Sequence, residues 1–233
     1  MADRSRYVII TAGGSGTRMG TSLPKQMLPL AGKPVLMRTV ELFLSLPFEV
    51  NLILVINKQI REVWLRYCRE SGFDRNYYLV NGGLSRYHSV KNALKYLPDG
   101  AVVAVHDGVR PLVTRDALVR MFKSALDCPA LVPVVPSVDS LRCIGENGSS
   151  EVVDRSLYRC VQTPQFFHSE VLKRAYNEPF SPLFTDDASV VEKSGVRVQL
   201  CEGERFNLKI TTPEDMIMAE AIISARERGL TTL

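Results

Sequence analysis

The 233-residue sequence has no long apolar run, no cysteine framework and neither of the two commonest phosphate-loop spellings. No stretch approaches the roughly 18 apolar residues that span a bilayer, which excludes a membrane helix. Met1-Ala2-Asp3-Arg4-Ser5-Arg6 runs straight into the first apolar segment, so no signal peptide is expected. The five cysteines are odd in number, scattered, and never spaced C-x-x-C. That excludes a zinc ribbon or disulfide scaffold and makes a reducing cytoplasm the expected home. Charge of one sign is also missing: the net value is +4 with no block of like residues, so neither a nucleic-acid nor a membrane partner is expected. With 45% hydrophobic and 23% charged residues, the chain can bury a full core as one α/β domain.

What is present begins directly after Tyr7-Val8-Ile9-Ile10. Residues 12–25 read Ala12-Gly13-Gly14-Ser15-Gly16-Thr17-Arg18-Met19-Gly20-Thr21-Ser22-Leu23-Pro24-Lys25. The glycines let a backbone approach a ligand closely. Successive N–H groups in such a turn form a concave anion site, to which Arg18 and Lys25 add full charges. A polyphosphate is the natural ligand. A dinucleotide fingerprint starting at Gly14 would need glycine where Met19 stands, and no glycine here is followed by Lys-Ser or Lys-Thr. An ordinary βα turn is the plainer alternative; Arg18, Pro24 and Lys25 in that order favour the phosphate reading.

Apolar runs at 7–10, 52–56, 77–80, 101–105 and 130–135 alternate with helix-period stretches at 35–46, 60–71, 87–97 and 116–126. That order predicts a mostly parallel sheet with helices on both faces. After Pro136 the pattern breaks. Segments 140–144 and 151–154, joined by Gly145-Glu146-Asn147-Gly148, read as a hairpin within a polar stretch, 137–154. This is either a solvent-exposed hairpin or an arm that embraces a second subunit. Three helical segments close the chain: 169–176, one opened by Thr185 and ended by Gly195, and a long one capped by Thr212 with Pro213 at its first position.

Ligands of parallel α/β sheets bind outside the carboxyl ends of the strands. Those ends deliver the glycine loop, then Asn81-Gly82-Gly83-Leu84-Ser85-Arg86-Tyr87-His88-Ser89, then His106-Asp107-Gly108-Val109-Arg110-Pro111, then Asp139-Ser140. Asp107 could meet a ribose hydroxyl or Mg²⁺, or form a plain ion pair with Arg110. His106 reads as a structural histidine, and His88 and His168 as surface ones. Nothing resembles a nucleophile paired with a base. Phosphoryl transfer from a nucleoside triphosphate to a phosphate acceptor needs none, because positioning and positive charge suffice. Arg18, Lys25 and Lys209 are the candidate cations.

Taken together, AGGSGTRM with PKQ, GGLSRYHSV, HDGVRP, VDS, DRSLYRCVQTPQFF, TDDASVVE and EGERFNLKITTPED resemble the 2-C-methyl-D-erythritol 4-phosphate cytidylyltransferases along nearly the whole chain. The resemblance implies a Rossmann-like nucleotidyltransferase fold, a homodimer joined through the β-arm, CTP as co-substrate with Mg²⁺ as cofactor, and release of pyrophosphate. It implies that Arg18, Lys25 and Lys209 act on the triphosphate, with Mg²⁺ held mainly by its phosphates. Ala12, Gly13, Gly14, Gly16, Gly82, Gly83 and Ser89 would serve the nucleotide, and Asp107 would stand near ribose, metal and acceptor. Arg110, Ser140, Arg155, Thr163, Thr185 and Lys209 would surround the polyol phosphate, with Ser140 and Arg155 reaching from the partner's arm. Leu84 stands where the family commonly has an acid, Ser140 where threonine is usual, and Gly108 where alanine is common. D-Ribitol-5-phosphate cytidylyltransferase, which shares the glycine loop, HD-x-x-RP and FN-x-KIT, is the nearest alternative.

Overall fold

The computed structural model describes residues 4–14 and 23–230. Arg18 and Gly16, assigned above to the glycine loop, lie outside the described residues.

The chain opens with β1 (Arg6–Ala12), a 3₁₀ turn at Lys25–Met27, and a small ribbon of β2 (Pro29–Leu30) and β3 (Lys33–Pro34). There follow α1 (Val35–Leu44), β4 (Asn51–Ile56), α2 (Lys58–Ser71), β5 (Tyr78–Asn81), α3 (Arg86–Ala93), β6 (Val102–Asp107), α4 (Arg115–Ala125) and β7 (Ala130–Pro136). The ribbon of β8 (Arg142–Ile144) and β9 (Ser150–Val152) comes next, then β10 (Arg159–Val161) and β11 (Gln165–His168). Helices α5 (Ser169–Ala175) and α6 (Asp187–Lys193), strand β12 (Gln199–Glu202) and helix α7 (Pro213–Glu227) complete the described chain.

Eight strands form one sheet in the order β10-β7-β11-β6-β1-β4-β5, with β12 also on β7. β4, β1, β6 and β5 pair in parallel, whereas β11 runs antiparallel between β6 and β7. β10 is likewise antiparallel to β7, so six strands share one direction and two oppose it. The strand alternation explains the two layers. Val8 and Ile10 of β1 pack with Leu36, Val40, Trp64 and Phe122 from α1, α2 and α4. Ile9 faces the other way, toward Val90, Leu172 and Val190 from α3, α5 and α6. Because both faces are covered, the central strands read as unbroken apolar runs.

Each predicted run is found as a strand within one or two residues of its expected ends. The stretch 87–97 ends its α-helix at Ala93 and finishes as a 3₁₀ turn at Leu94–Tyr96. One local reading is corrected: Asp186, not Thr185, caps α6, accepting from the Ser189 N–H at 2.9 Å while the Ser189 hydroxyl faces the Asp186 N–H. The Asp186 carboxylate also accepts from Gln165 Nε2 at 2.7 Å, which fixes it at the cap and leaves Thr185 outside the helix. No helix among the described residues is long and apolar enough to cross a membrane.

Candidate active site

The carboxyl ends of β1, β5 and β6 converge on one cleft. After β1, the glycine segment is tied down through its carbonyls. Gln26 Nε2 donates to Ala12 O at 3.2 Å and Gly14 O at 3.0 Å, and Asn57 Nδ2 donates to Gly13 O at 3.1 Å. Engaging these carbonyls reduces the negative dipoles an incoming phosphate would meet. After β5, the Gly83 N–H donates to Ser89 Oγ at 3.0 Å, and that hydroxyl donates to Ser85 O at 2.9 Å. A Cβ at Gly83 would lie 2.4 Å from His88 Cβ and 2.9 Å from its backbone carbon, so this turn requires glycine. Lys25, buried in its 3₁₀ turn, donates from Nζ to Ile210 O at 3.1 Å.

β6 ends in His106-Asp107, both buried. His106 Nε2 lies 2.9 Å from Arg110 O, which can only accept, so Nε2 carries the proton. Nδ1 is then an acceptor for the Thr163 hydroxyl at 3.2 Å, and the same hydroxyl oxygen accepts the Asp107 N–H at 3.0 Å. Burial pushes the His106 pKa down to about 4, which keeps the ring neutral and this relay intact. The expected reading of His106 as structural holds, with the addition that it fixes the backbone of Asp107.

The Asp107 carboxylate is gripped by three cations. Oδ2 meets Lys209 Nζ at 3.0 Å and Arg110 Nε at 3.4 Å, while Oδ1 meets Arg86 Nε at 3.5 Å. Burial alone would raise its pKa, but Arg86, Lys209 and Arg110 hold it well below the usual carboxylate range. Arg110 is braced on its other side, where Nη1 donates to Asn207 O at 2.8 Å. Asn207 Nδ2 in turn donates to Thr163 O at 2.8 Å. Asp107 therefore forms the ion pair with Arg110, and it also lines the cleft.

Two adjoining clefts share this wall. Gly13, Gly14, Lys25, Gly83, Ser89, Asp107 and Lys209 line the first, with Ala12 and Gly82 in the same loops behind it. Arg110, Thr163 and Thr185 line the second, again with Asp107 and Lys209. Ser140 and Arg155 are exposed on and beside the β8–β9 ribbon and line neither cleft of their own chain. Sequence reasoning left Arg86 out of its site residues although it lines both clefts, and it also missed Gln162, Gln165 and Asp186 in the second. The signal for Arg86 was its place at the start of α3, three residues after Gly83 of the second glycine pair.

The neutral His106 has a consequence for stability. Its folded pKa of about 4 lies below its ordinary 6.5, so between those values the unfolded chain binds a proton that the native chain refuses. Stability is thus full above about pH 6.5 and is lost as pH falls toward 4. Between pH 7.5 and pH 5 this group should remove about 2 kcal/mol. Urea unfolding of the wild type and His106→Asn at both pH values checks this. The variant should lose less by that amount, and equal losses would contradict the assignment.

A mostly parallel sheet with glycine turns, fixed cations and one clamped carboxylate at its carboxyl edge defines an α/β domain of the nucleotidyltransferase type. Comparison with known proteins narrows the class. A family model of 2-C-methyl-D-erythritol 4-phosphate cytidylyltransferase matches residues 7–225. The enzyme of that name from Bacteroides fragilis is 48% identical over 218 residues, covering 94% of this chain and 99% of the relative. That from Bacillus velezensis is 39% identical over 221 residues, covering 94% and 95%. Among solved structures, 4-diphosphocytidyl-2C-methyl-D-erythritol synthase from Anaerococcus prevotii superposes with a TM-score of 0.81 at 26% identity, covering 95% of this chain and 96% of that one. The chain belongs to the 2-C-methyl-D-erythritol 4-phosphate cytidylyltransferase family.

Proposed function

We propose that this protein transfers CMP from CTP to 2-C-methyl-D-erythritol 4-phosphate, releasing pyrophosphate and forming 4-diphosphocytidyl-2-C-methyl-D-erythritol. The observation that supports the reading is that Asp107 and Lys209 line both of two adjoining clefts, which we assign to the nucleotide and to the acceptor.

The acceptor's phosphate oxygen attacks the α-phosphorus of CTP. An O–P bond forms there, the bond from the α-phosphorus to the bridging oxygen breaks, and pyrophosphate leaves with the electron pair. The acceptor phosphate is already ionised near neutral pH, so no protein base is needed. The protein's part is positioning and charge. Ala12–Gly14 backbone, Gly82, Gly83 and Ser89 hold the nucleoside, Lys25 and Lys209 serve the triphosphate, and Arg18 has the same assignment from the sequence motif alone. Thr163, Thr185 and Arg110 receive the acceptor, together with Ser140 and Arg155 from the arm of a second copy. Leu84, fully exposed at the lip of the cleft, has no carboxylate to offer the nucleotide.

Asp107 is the one carboxylate lining the nucleotide cleft among the described residues, and these contain no cluster of three metal-ligating side chains. One carboxylate beside a polyphosphate fits Mg²⁺, which keeps its waters and binds mainly substrate oxygens. When bound, the ion would neutralise triphosphate charge, and Asp107 is the residue that would help to hold it.

With CTP and methylerythritol phosphate, one pyrophosphate should appear per diphosphocytidyl product. CTP alone should not exchange label with pyrophosphate, since no CMP–enzyme is formed. Absence of release with that acceptor would overturn the proposal.

Arg155 carries a further prediction. A guanidinium grips phosphate through two parallel hydrogen bonds, which an ammonium cannot reproduce. Arg155→Lys should raise the KM for the polyol phosphate by about 10-fold while moving that for CTP by less than about 2-fold. Steady-state kinetics with each substrate varied separately decides it, and a defect confined to CTP would contradict the assignment.

A further inference from the structure

Arg86 lies at the first position of α3 and lines both clefts, yet the shortest bond of its guanidinium runs to a carboxylate that lines neither. Nη2 donates to Asp187 Oδ2 at 2.6 Å. Asp187 is completely buried at the start of α6, and its Oδ1 accepts from the Tyr176 hydroxyl at 2.6 Å. Both oxygens of a fully desolvated carboxylate are thereby satisfied. Tyr176 is itself buried and stacks on Tyr87 at 4.8 Å between ring centroids. Burial raises the Tyr176 pKa and Asp187 raises it further, so the phenol remains a donor throughout the working pH range.

We infer that Tyr176, Asp187 and Arg86 form a positioning chain that orients the Asp107 carboxylate and, through it, the Lys209 ammonium. The nearest Asp107 oxygen to Lys209 and Arg110 is Oδ2, and the nearest to Arg86 is Oδ1. Without a fixed group on Oδ1 the carboxylate can turn about its Cβ–Cγ bond. Lys209, 45% exposed at its side chain, would move with it. Arg86 is kept from drifting toward Asp107 by its shorter bond to the buried carboxylate of Asp187. In the Asp187→Asn variant the charge of that anchor is lost, Arg86 no longer has a fixed place beside Oδ1, and the carboxylate shifts together with the Lys209 ammonium. The glycine turns are untouched, so the effect should fall on turnover rather than on CTP binding.

This inference rests on the cytidylyl-transfer reading, and the experiment separates the two. If the wild type releases no pyrophosphate with methylerythritol phosphate, the functional reading fails. Given an active wild type, Asp187→Asn should lower kcat about 10-fold with the KM for CTP within about 2-fold. Tyr176→Phe, which removes one hydroxyl and keeps the ring, should act in the same direction by about 3-fold. In a Lys209→Ala background, Asp187→Asn should change kcat by less than about 2-fold, because both act on the same ammonium. General loosening of the fold would instead multiply the two defects. Full activity of either single variant, or multiplicative defects in the double, overturns the inference. If Asp187→Asn does not fold, Tyr176→Phe alone and in the Lys209→Ala background decides it.

Discussion

Lys25→Ala should lower kcat by about 100-fold or more while the protein stays folded. Lys25 sits on a 3₁₀ turn outside the main sheet, so its loss removes no strand pairing or helix. Its side chain is only 9% exposed, and the ammonium is held at 3.1 Å from Ile210 O beside the nucleotide cleft. A cation fixed in a partly desolvated cleft acts strongly on charge that develops in the transition state. Ground-state CTP, already solvated and metal-bound, gains less from it, so KM should move less than kcat. Lys25→Met serves as the control, keeping most of the volume without the charge. Near-normal turnover in both variants, with unchanged thermal unfolding, would show that Lys25 does not serve the triphosphate. Arg18→Ala is expected to behave alike from its place in the glycine-loop sequence.

Removal of the β8–β9 arm should be equally damaging to activity and much less so to the fold. The ribbon pairs only within itself and contributes no strand to the eight-stranded sheet. An isolated two-stranded ribbon is marginal in water. This one and its flanks also leave Val138, Ile144, Val152 and Leu157 between 58% and 80% exposed. Such a surface is what an obligate partner would cover, and a second copy would bring Ser140 and Arg155 to a cleft that its own chain leaves without them. Replacing 138–153 by a short Gly-Ser turn should give a folded monomer with kcat/KM for the polyol phosphate reduced about 100-fold or more. Sedimentation and steady-state kinetics on one preparation check both parts. A monomer that remains fully active would contradict the assignment.

The parallel strands were legible because burial on two faces leaves continuous apolar runs, as in Leu52 to Ile56. β11 was not. Its four residues send Phe166 to one layer and Phe167 to the other, between the polar ends Gln165 and His168, so they show neither a long run nor clean alternation. β12 and β10 are short and largely exposed, which hides them similarly. In Thr185-Asp186-Asp187 any of the three residues can cap a helix. The choice falls on Asp186 through Gln165, twenty-one residues earlier in the chain. Most cleft residues were readable from motifs at strand ends. Arg86 was not assigned because its partner Asp187 lies 101 residues away, and nothing local announces that they meet.

The central claim is the choice of acceptor, and a competition tests it most directly. CTP is supplied with equal concentrations of 2-C-methyl-D-erythritol 4-phosphate and D-ribitol 5-phosphate, and both cytidyl products are followed by ³¹P NMR. The diphosphocytidyl methylerythritol should form with stoichiometric pyrophosphate while ribitol phosphate stays unconsumed. Formation of the two products at comparable rates, or of the ribitol product alone, would contradict the account.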